Sequence, residues 1–215
     1  KSIGVVVNHT SVDQHSKHLI QLAYDNGIQI KAVFTPEHGF MGLVGAGEEV
    51  QDGIDPLTHA PIYSLYGKQK KPTPQMLKGL DMIVFDMQDI GVRYYTYLST
   101  LTYILEAAAE YEIPVLVLDR VNPLGRGVEG PLLAEDFKSF VGMHPIPIRY
   151  GMTLGELAQM INGEGWLANG IQVDLTVISY NGTDDEKMRM NAFNPPPSPN
   201  MPDLETAWLY QGLCL

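Results

Sequence analysis

Four apolar, β-branched runs constrain the fold of this chain more than anything else in it. They are SIGVVVNH at 2–9, IQIKAVFT at 28–35, DMIVFDMQD at 81–89 and PVLVLDR at 114–120. A strand wetted on one face alternates apolar and polar residues, whereas a continuous apolar run has to be dry on both faces. Helical patterns lie between these runs. SKHLIQLAYDNG (16–27) gathers Leu19, Leu22 and Ala23 on one face and stops at Gly27. TPQMLKGL (73–80) opens on Thr73, with Pro74 at the first helical position, and YLSTLTYILEAAAEYE (97–112) gives a longer helix. Strands and helices in this order predict an α/β fold, a mostly parallel sheet with helices on both faces.

Other segments are less regular. Residues 36–61 read as a long glycine-rich loop, of a length that usually carries function, and IYSLYG (62–67) as a short strand. Beyond residue 130 the texture changes. MTLGELAQMINGE (152–164) predicts a helix with a capping box of Thr153 and Glu156, and IQVDLTVIS (171–179) predicts a further strand. NPPPSPNMP (194–202) reads as a rigid connector or surface loop. The division expected is an α/β domain over 1–150, carrying the candidate catalytic loop, and a helix–strand extension with a connector over 151–215. That extension reads as the start of a smaller second domain, and both chain ends read as cut.

Charge and composition narrow the function. The formal net charge of −11 argues against nucleic acid, which needs a basic footprint. The single cysteine, Cys214, excludes an intrachain disulfide and a cysteine-based metal cluster. No apolar run is long enough to span a membrane, so no membrane insertion is expected. The turn after the first strand, NHTSVDQ, has no glycine to let a pyrophosphate approach, and GLVGAGEE (42–49) lies in mid-loop. Phosphate-loop and Gly-x-Ser-x-Gly sequences are missing. No cofactor and no metal are expected.

Polar residues collect where the strong strands end. Asn8, His9 and Thr10 follow the first run, and Glu37, His38 and Gly39 follow the second. Asp86, Gln88, Asp89, Arg93 and Tyr94 follow the third; Asp119, Arg120, Asn122 and Glu129 follow the fourth. In a parallel sheet these ends share one edge and converge on a crevice. Each has a plainer reading too: Asn8 and Thr10 as helix caps, Asp86 in a turn, Asp119 and Arg120 as an ion pair. Glu37 is hardest to read as structural, since it stands between a proline and His38-Gly39 in a roomy loop. Carboxylates beside tyrosines and amides suit a carbohydrate, and an acid in such a place can protonate a departing glycosidic oxygen. Glu37 is the candidate acid, and Asp86, Asp89, Asp119 and Glu129 are candidates for the second role.

The stretches VVVNHTSVD, FTPEHGFMG, YSLYGKQKKPTPQMLKGLDMIVFDMQDIGVRYYTYLSTL, VLDRVNPLG, VEGPLL and PPPSPNMP together resemble the bacterial exo-β-N-acetylmuramidases of peptidoglycan recycling. The resemblance covers nearly the whole chain. It implies a Rossmann-like domain that binds no dinucleotide, a smaller second domain and an active site in the cleft. It also implies release of N-acetylmuramic acid from non-reducing ends of peptidoglycan fragments, in an extracytoplasmic location. The glutamate of the family's Pro-Glu-His-Gly motif falls on Glu37. Catalytic residues expected are Glu37, His38 and Asp86. Substrate contacts are expected from Asn8, Gln88, Asp89, Arg93, Tyr94, Asp119, Arg120, Asn122 and Glu129. One of Arg93, Arg120 and Arg149 is expected to pair with the lactyl carboxylate of muramic acid. Two other readings compete: a non-catalytic cell-wall sugar-binding module, and a metal-dependent hydrolase.

Overall fold

A computed structural model describes residues 1–45, 48, 51–180 and 186–213. Cys214, and part of the glycine run at 42–49, lie outside the described residues. The elements in chain order are β1 (Ser2–Val7), α1 (Leu19–Asp25), β2 (Gln29–Thr35), β3 (Gly53–Ile54), β4 (Pro61–Ser64), α2 (Pro74–Leu77) and β5 (Met82–Asp86). They continue with α3 (Tyr97–Glu110), β6 (Val115–Leu118), α4 (Leu154–Gly163), β7 (Leu175–Ile178), α5 (Glu186–Asn191) and α6 (Leu204–Leu213).

The strands form one sheet in the order β3-β4-β2-β1-β5-β6-β7. Every pairing is parallel except β3 with β4. β1 lies between β2 and β5, with Val5 opposite Val33 on one side and Val84 on the other. Its apolar run is explained by its two faces. Ile3, Val5 and Val7 pack with Ile20 and Ala23 of α1. Val6 points the other way, with Phe34 and Phe85, toward Leu98, Leu101 and Leu105 of α3. Each such buried side chain contributes about 1.5–3 kcal/mol, so the two helices fix both faces of the sheet. The chain leaves β1 toward β2 and returns on the far side at β5, which makes the β1/β5 boundary a topological switch point.

Several boundaries differ from the sequence reading for identifiable reasons. α1 begins at Leu19 rather than residue 16 because His18 is its cap: His18 Nδ1 accepts from Ile20 N at 3.2 Å. Asn8 and Thr10 therefore do not cap it. β5 stops at Asp86 because the chain then turns, with Gln88 N donating to Thr10 Oγ1 at 3.0 Å. The expected capping box on α4 is present: Thr153 N donates to Glu156 Oε2 at 2.8 Å, and Glu156 N to Thr153 Oγ1 at 3.2 Å. β7 pairs with β6 in the same sheet, and α4 joins the core that α3 covers, so the sheet unit extends past residue 150. The proline-rich segment 194–202 is no free surface loop, since Pro197, Ser198 and Met201 are buried.

Candidate functional site

The carboxyl ends of the strands carry the candidate residues, but the structure sorts them into three places. The first is built around Glu37. After β2 the turn Pro36–Gly39 is closed by Gly39 N donating to Pro36 O at 3.1 Å. His38 and Gly39 both take left-handed backbone, φ 69° and 71°. His38 tolerates this uncommon conformation because its ring is buried and tied to Val44 O at 2.7 Å. The turn leaves Glu37 half-buried, with Oε2 accepting from Thr96 Oγ1 at 2.8 Å. Thr96 is the residue before α3, so a turn after β2 meets the start of a helix 59 residues later. The Tyr66 phenol bonds the same carboxylate. Burial first, and then the Glu37 charge, raise the Tyr66 pKa, so it stays protonated and remains a donor.

The wall beside Glu37 is a chain of buried polar contacts. Asn8 is fully buried; its Oδ1 accepts from Thr10 N at 2.9 Å and Thr10 Oγ1 at 2.6 Å. Its Nδ2 donates to the Tyr97 hydroxyl at 2.9 Å, which donates onward to Pro197 O at 2.9 Å. Next to it, His9 Nε2 donates to Pro196 O at 2.7 Å. Burial lowers the His9 pKa, opposed by the Pro196 bond and aided by nearby His38 and His18, so the ring is held neutral. Gly42 makes room for that ring, since a Cβ there would stand 2.0 Å from His9 Nδ1.

The second place is on the α1 side of the same edge. Asp86 and Arg120 pair there, Nε to Oδ1 at 2.6 Å, beside a cavity of about 620 Å³ also lined by Gln88 and Asp119. The expected ion pair of Arg120 with Asp119 is replaced by this one. Asp119 instead holds the start of α4, accepting from Thr153 Oγ1 and Gly155 N, both at 2.8 Å.

The third place is the buried framework beneath the excursion between β6 and α4. Asp89 Oδ2 accepts from Gly91 N at 2.7 Å and from the Tyr150 hydroxyl, while buried Oδ1 has no hydrogen-bond partner among the described residues. Burial pushes the Asp89 carboxyl up to about 6. Arg93 Nη1 donates to Pro131 O at 2.8 Å and Ile146 O at 2.5 Å. The Tyr94 hydroxyl donates to carbonyls of α6, at 3.0 Å for Tyr210. Asn122 Nδ2 donates to Met152 O at 2.7 Å. Arg149 pairs with Glu129 at 2.7 Å and lies 4.4 Å from the Trp208 ring centroid. Asp89, Arg93, Tyr94, Asn122 and Glu129 thus brace loops and the α6 helix. Arg93, Arg120 and Arg149 are each engaged by protein groups.

Thr96 and the Pro196–Pro197 carbonyls were not among the expected site residues; His9 was expected only within the first strand-end cluster, and Tyr66 and Tyr97 only as aromatic rings near the crevice. Thr96 had one local signal, a threonine immediately before a helical run. Among the described residues no group of three or more His, Cys, Asp or Glu side chains could hold a metal ion, and no helix is long and apolar enough to cross a membrane.

Fold and site together define an α/β protein with a hydrogen-bonded carboxylate at its strand ends and a cavity at its switch point. The chain belongs to the family described as exo-beta-N-acetylmuramidase NamZ, N-terminal, which it matches over residues 3–205. It is 46% identical to the peptidoglycan beta-N-acetylmuramidase NamZ of Bacillus subtilis (strain 168), over 98% of this chain and 51% of that protein. Two crystal structures of DUF1343 family proteins from Bacteroides fragilis NCTC 9343 are similar at 40% identity. One gives a TM-score of 0.87, covering 98% of this chain and 53% of its own; the other gives 0.84, covering 100% and 56%. The chain therefore spans about half the length of the relatives it matches.

Proposed function

We propose that this chain carries the catalytic carboxylate of an exo-acting glycoside hydrolase that releases N-acetylmuramic acid from non-reducing ends of peptidoglycan fragments. Glu37 is its general acid. The observation that carries the reading is the Glu37 carboxylate, half-buried and held by Thr96 and Tyr66 where β2 and α3 meet. Its place in a family of this description supports the reaction class. Two donors fix the side chain in one orientation, which is what a proton delivered to a departing oxygen requires. Breaking the bond between the sugar's anomeric carbon and that oxygen moves the proton of Glu37 to the leaving group.

Asp86, Asp89 and Asp119 are bonded to Arg120, Tyr150 and the α4 start, and none of them joins the Glu37 cluster. With those three carboxylates engaged elsewhere, the reading that fits is attack by the substrate's own acetamido oxygen on the anomeric carbon, with water then opening the cyclic intermediate. Water gives one proton back to Glu37, which restores the acid. Peptidoglycan lies outside the cytoplasm, so an extracytoplasmic location accompanies this reading.

The test is hydrolysis of a chromogenic β-N-acetylmuramide by the chain and its Glu37→Gln variant, with a β-N-acetylglucosaminide as substrate control and the Bacillus subtilis relative as positive control. Turnover of the muramide that falls by two or more orders of magnitude in the variant is expected (about 10²–10⁴-fold for a general acid). A folded chain that binds muramic acid glycosides without turning them over, and binds them equally as Glu37→Gln, would replace the enzyme by a sugar-binding module.

A further inference from the structure

The cavity at the switch point is separate from the Glu37 site. Leu19 and Leu22 of α1 line it, whereas Glu37 is bonded at the start of α3, and these helices cover opposite faces of the sheet. The parity of β5 explains the separation. Val84 packs on the α1 side, so Asp86, two residues on, points the same way, and Phe85 between them faces α3.

Asp86 and Arg120, which both line the cavity, form an incompletely satisfied ion pair. Arg120 uses Nε on Asp86 Oδ1 and Nη2 on Val12 O at 3.2 Å, and its Nη1 has no hydrogen bond to the described residues. Asp86 Oδ2 likewise makes none. The guanidinium thus keeps one nitrogen, and the carboxylate one oxygen, unused by the described residues, and the charges of the pair cancel. Beside them Gln88 is fixed by its Nε2, which donates to Asp89 O at 2.7 Å and Val121 O at 2.9 Å. Leu19, Leu22 and Leu118 add apolar surface to the same lining. Asp13 and Asp119 also line the cavity and add negative charge, so Arg120 does not make it a basic one. That arrangement disfavours phosphate or carboxylate ligands and suits an uncharged ring bearing hydroxyl and amide groups. The volume of about 620 Å³ lies in the ordinary range for small-molecule sites.

We propose that this cavity is a second, non-catalytic ligand site that takes a neutral N-acetylhexosamine unit of a glycan, with Asp86 and Arg120 bonding its hydroxyls. The site stands whether or not Glu37 is a general acid. The probe is N,N′-diacetylchitobiose, titrated into ¹⁵N-labelled protein, with adenosine monophosphate as the anionic comparison. Saturable amide shifts are expected at residues 11–16 and 119–121 with the disaccharide, weaker or none with the nucleotide, and unchanged in Glu37→Gln. Arg120→Gln removes a charged donor and should weaken binding by about tenfold or more. That variant leaves Asp86 buried without its partner, so Leu22→Trp, which fills the cavity from a half-buried helix position, gives an independent loss. The proposal is overturned by absence of saturable shifts at those amides, by preference for the nucleotide, or by undiminished disaccharide binding in folded Leu22→Trp.

Discussion

Replacing Asp89 by asparagine should change how the stability of the protein depends on pH. Asp89 is buried, and desolvation outweighs the bonds from Tyr150 and Gly91, so its carboxyl is pushed from 3.8 to about 6. The folded state therefore holds the proton more tightly than the unfolded state. Stability from this group is complete below about pH 3.8 and is lost as pH rises through about 6. At 1.36 kcal/mol for each tenfold change in proton affinity, the difference amounts to about 3 kcal/mol. The amide of Asp89→Asn does not ionise in this range and keeps an oxygen for Tyr150 and Gly91. Its nitrogen takes the place of Oδ1, which has no hydrogen-bond partner among the described residues, and costs about 1–3 kcal/mol at every pH. That offset cancels in the comparison. Urea unfolding of both proteins, at a series of values from about pH 4 to about pH 8, should show the variant gaining on the wild type by about 3 kcal/mol. Parallel stability curves would refute the claim that a proton on Asp89 is linked to folding.

Other perturbations have simpler expectations. Tyr97→Phe deletes a hydroxyl that bonds both Asn8 and Pro197, and denaturant titration should show a loss of about 2–4 kcal/mol; a change below about 0.5 kcal/mol would mean that these bonds hold nothing. Asp119→Ala removes the acceptor at the start of α4 and should cost about 2–3 kcal/mol by the same assay, with hydrogen exchange quickening first in residues 154–157. Gly42→Ala drives a methyl into the His9 ring from a backbone at φ +64°, so a shifted His9 ring resonance and a loss of about 2 kcal/mol or more are expected.

The sheet was legible because its strands are dry on both sides: no other use of SIGVVVNH or DMIVFDMQD hides so many consecutive apolar residues. The placing of Glu37 at a strand end was legible for the same reason. What the sequence did not reveal was where neighbouring polar residues turn once a strand has ended. Asp86 and Asp89 are three residues apart, yet one faces the α1 side and the other is turned into the protein beneath Tyr150. The pairing of Arg120 with Asp86 rather than adjacent Asp119 follows from strand order, which local pattern does not specify. Thr96 and Pro197 were hidden by distance along the chain, since their partners Glu37 and Tyr97 lie 59 and 100 residues away.

The two carbonyls that meet His9 and Tyr97 have a consequence for assembly. Pro196 closes onto His9 across 187 residues, so the wall beside Glu37 joins the end of the first strand to a segment far along the chain. On a ribosome β1, β2 and β5 can pair long before residue 196 emerges, and through that interval His9 and Tyr97 hydrogen-bond to water instead. A nascent chain would thus have a sheet before it has a finished site. Clipping the protein ahead of residue 194 would return it to that earlier stage, with the Glu37 contacts to Thr96 and Tyr66 in place and one wall missing.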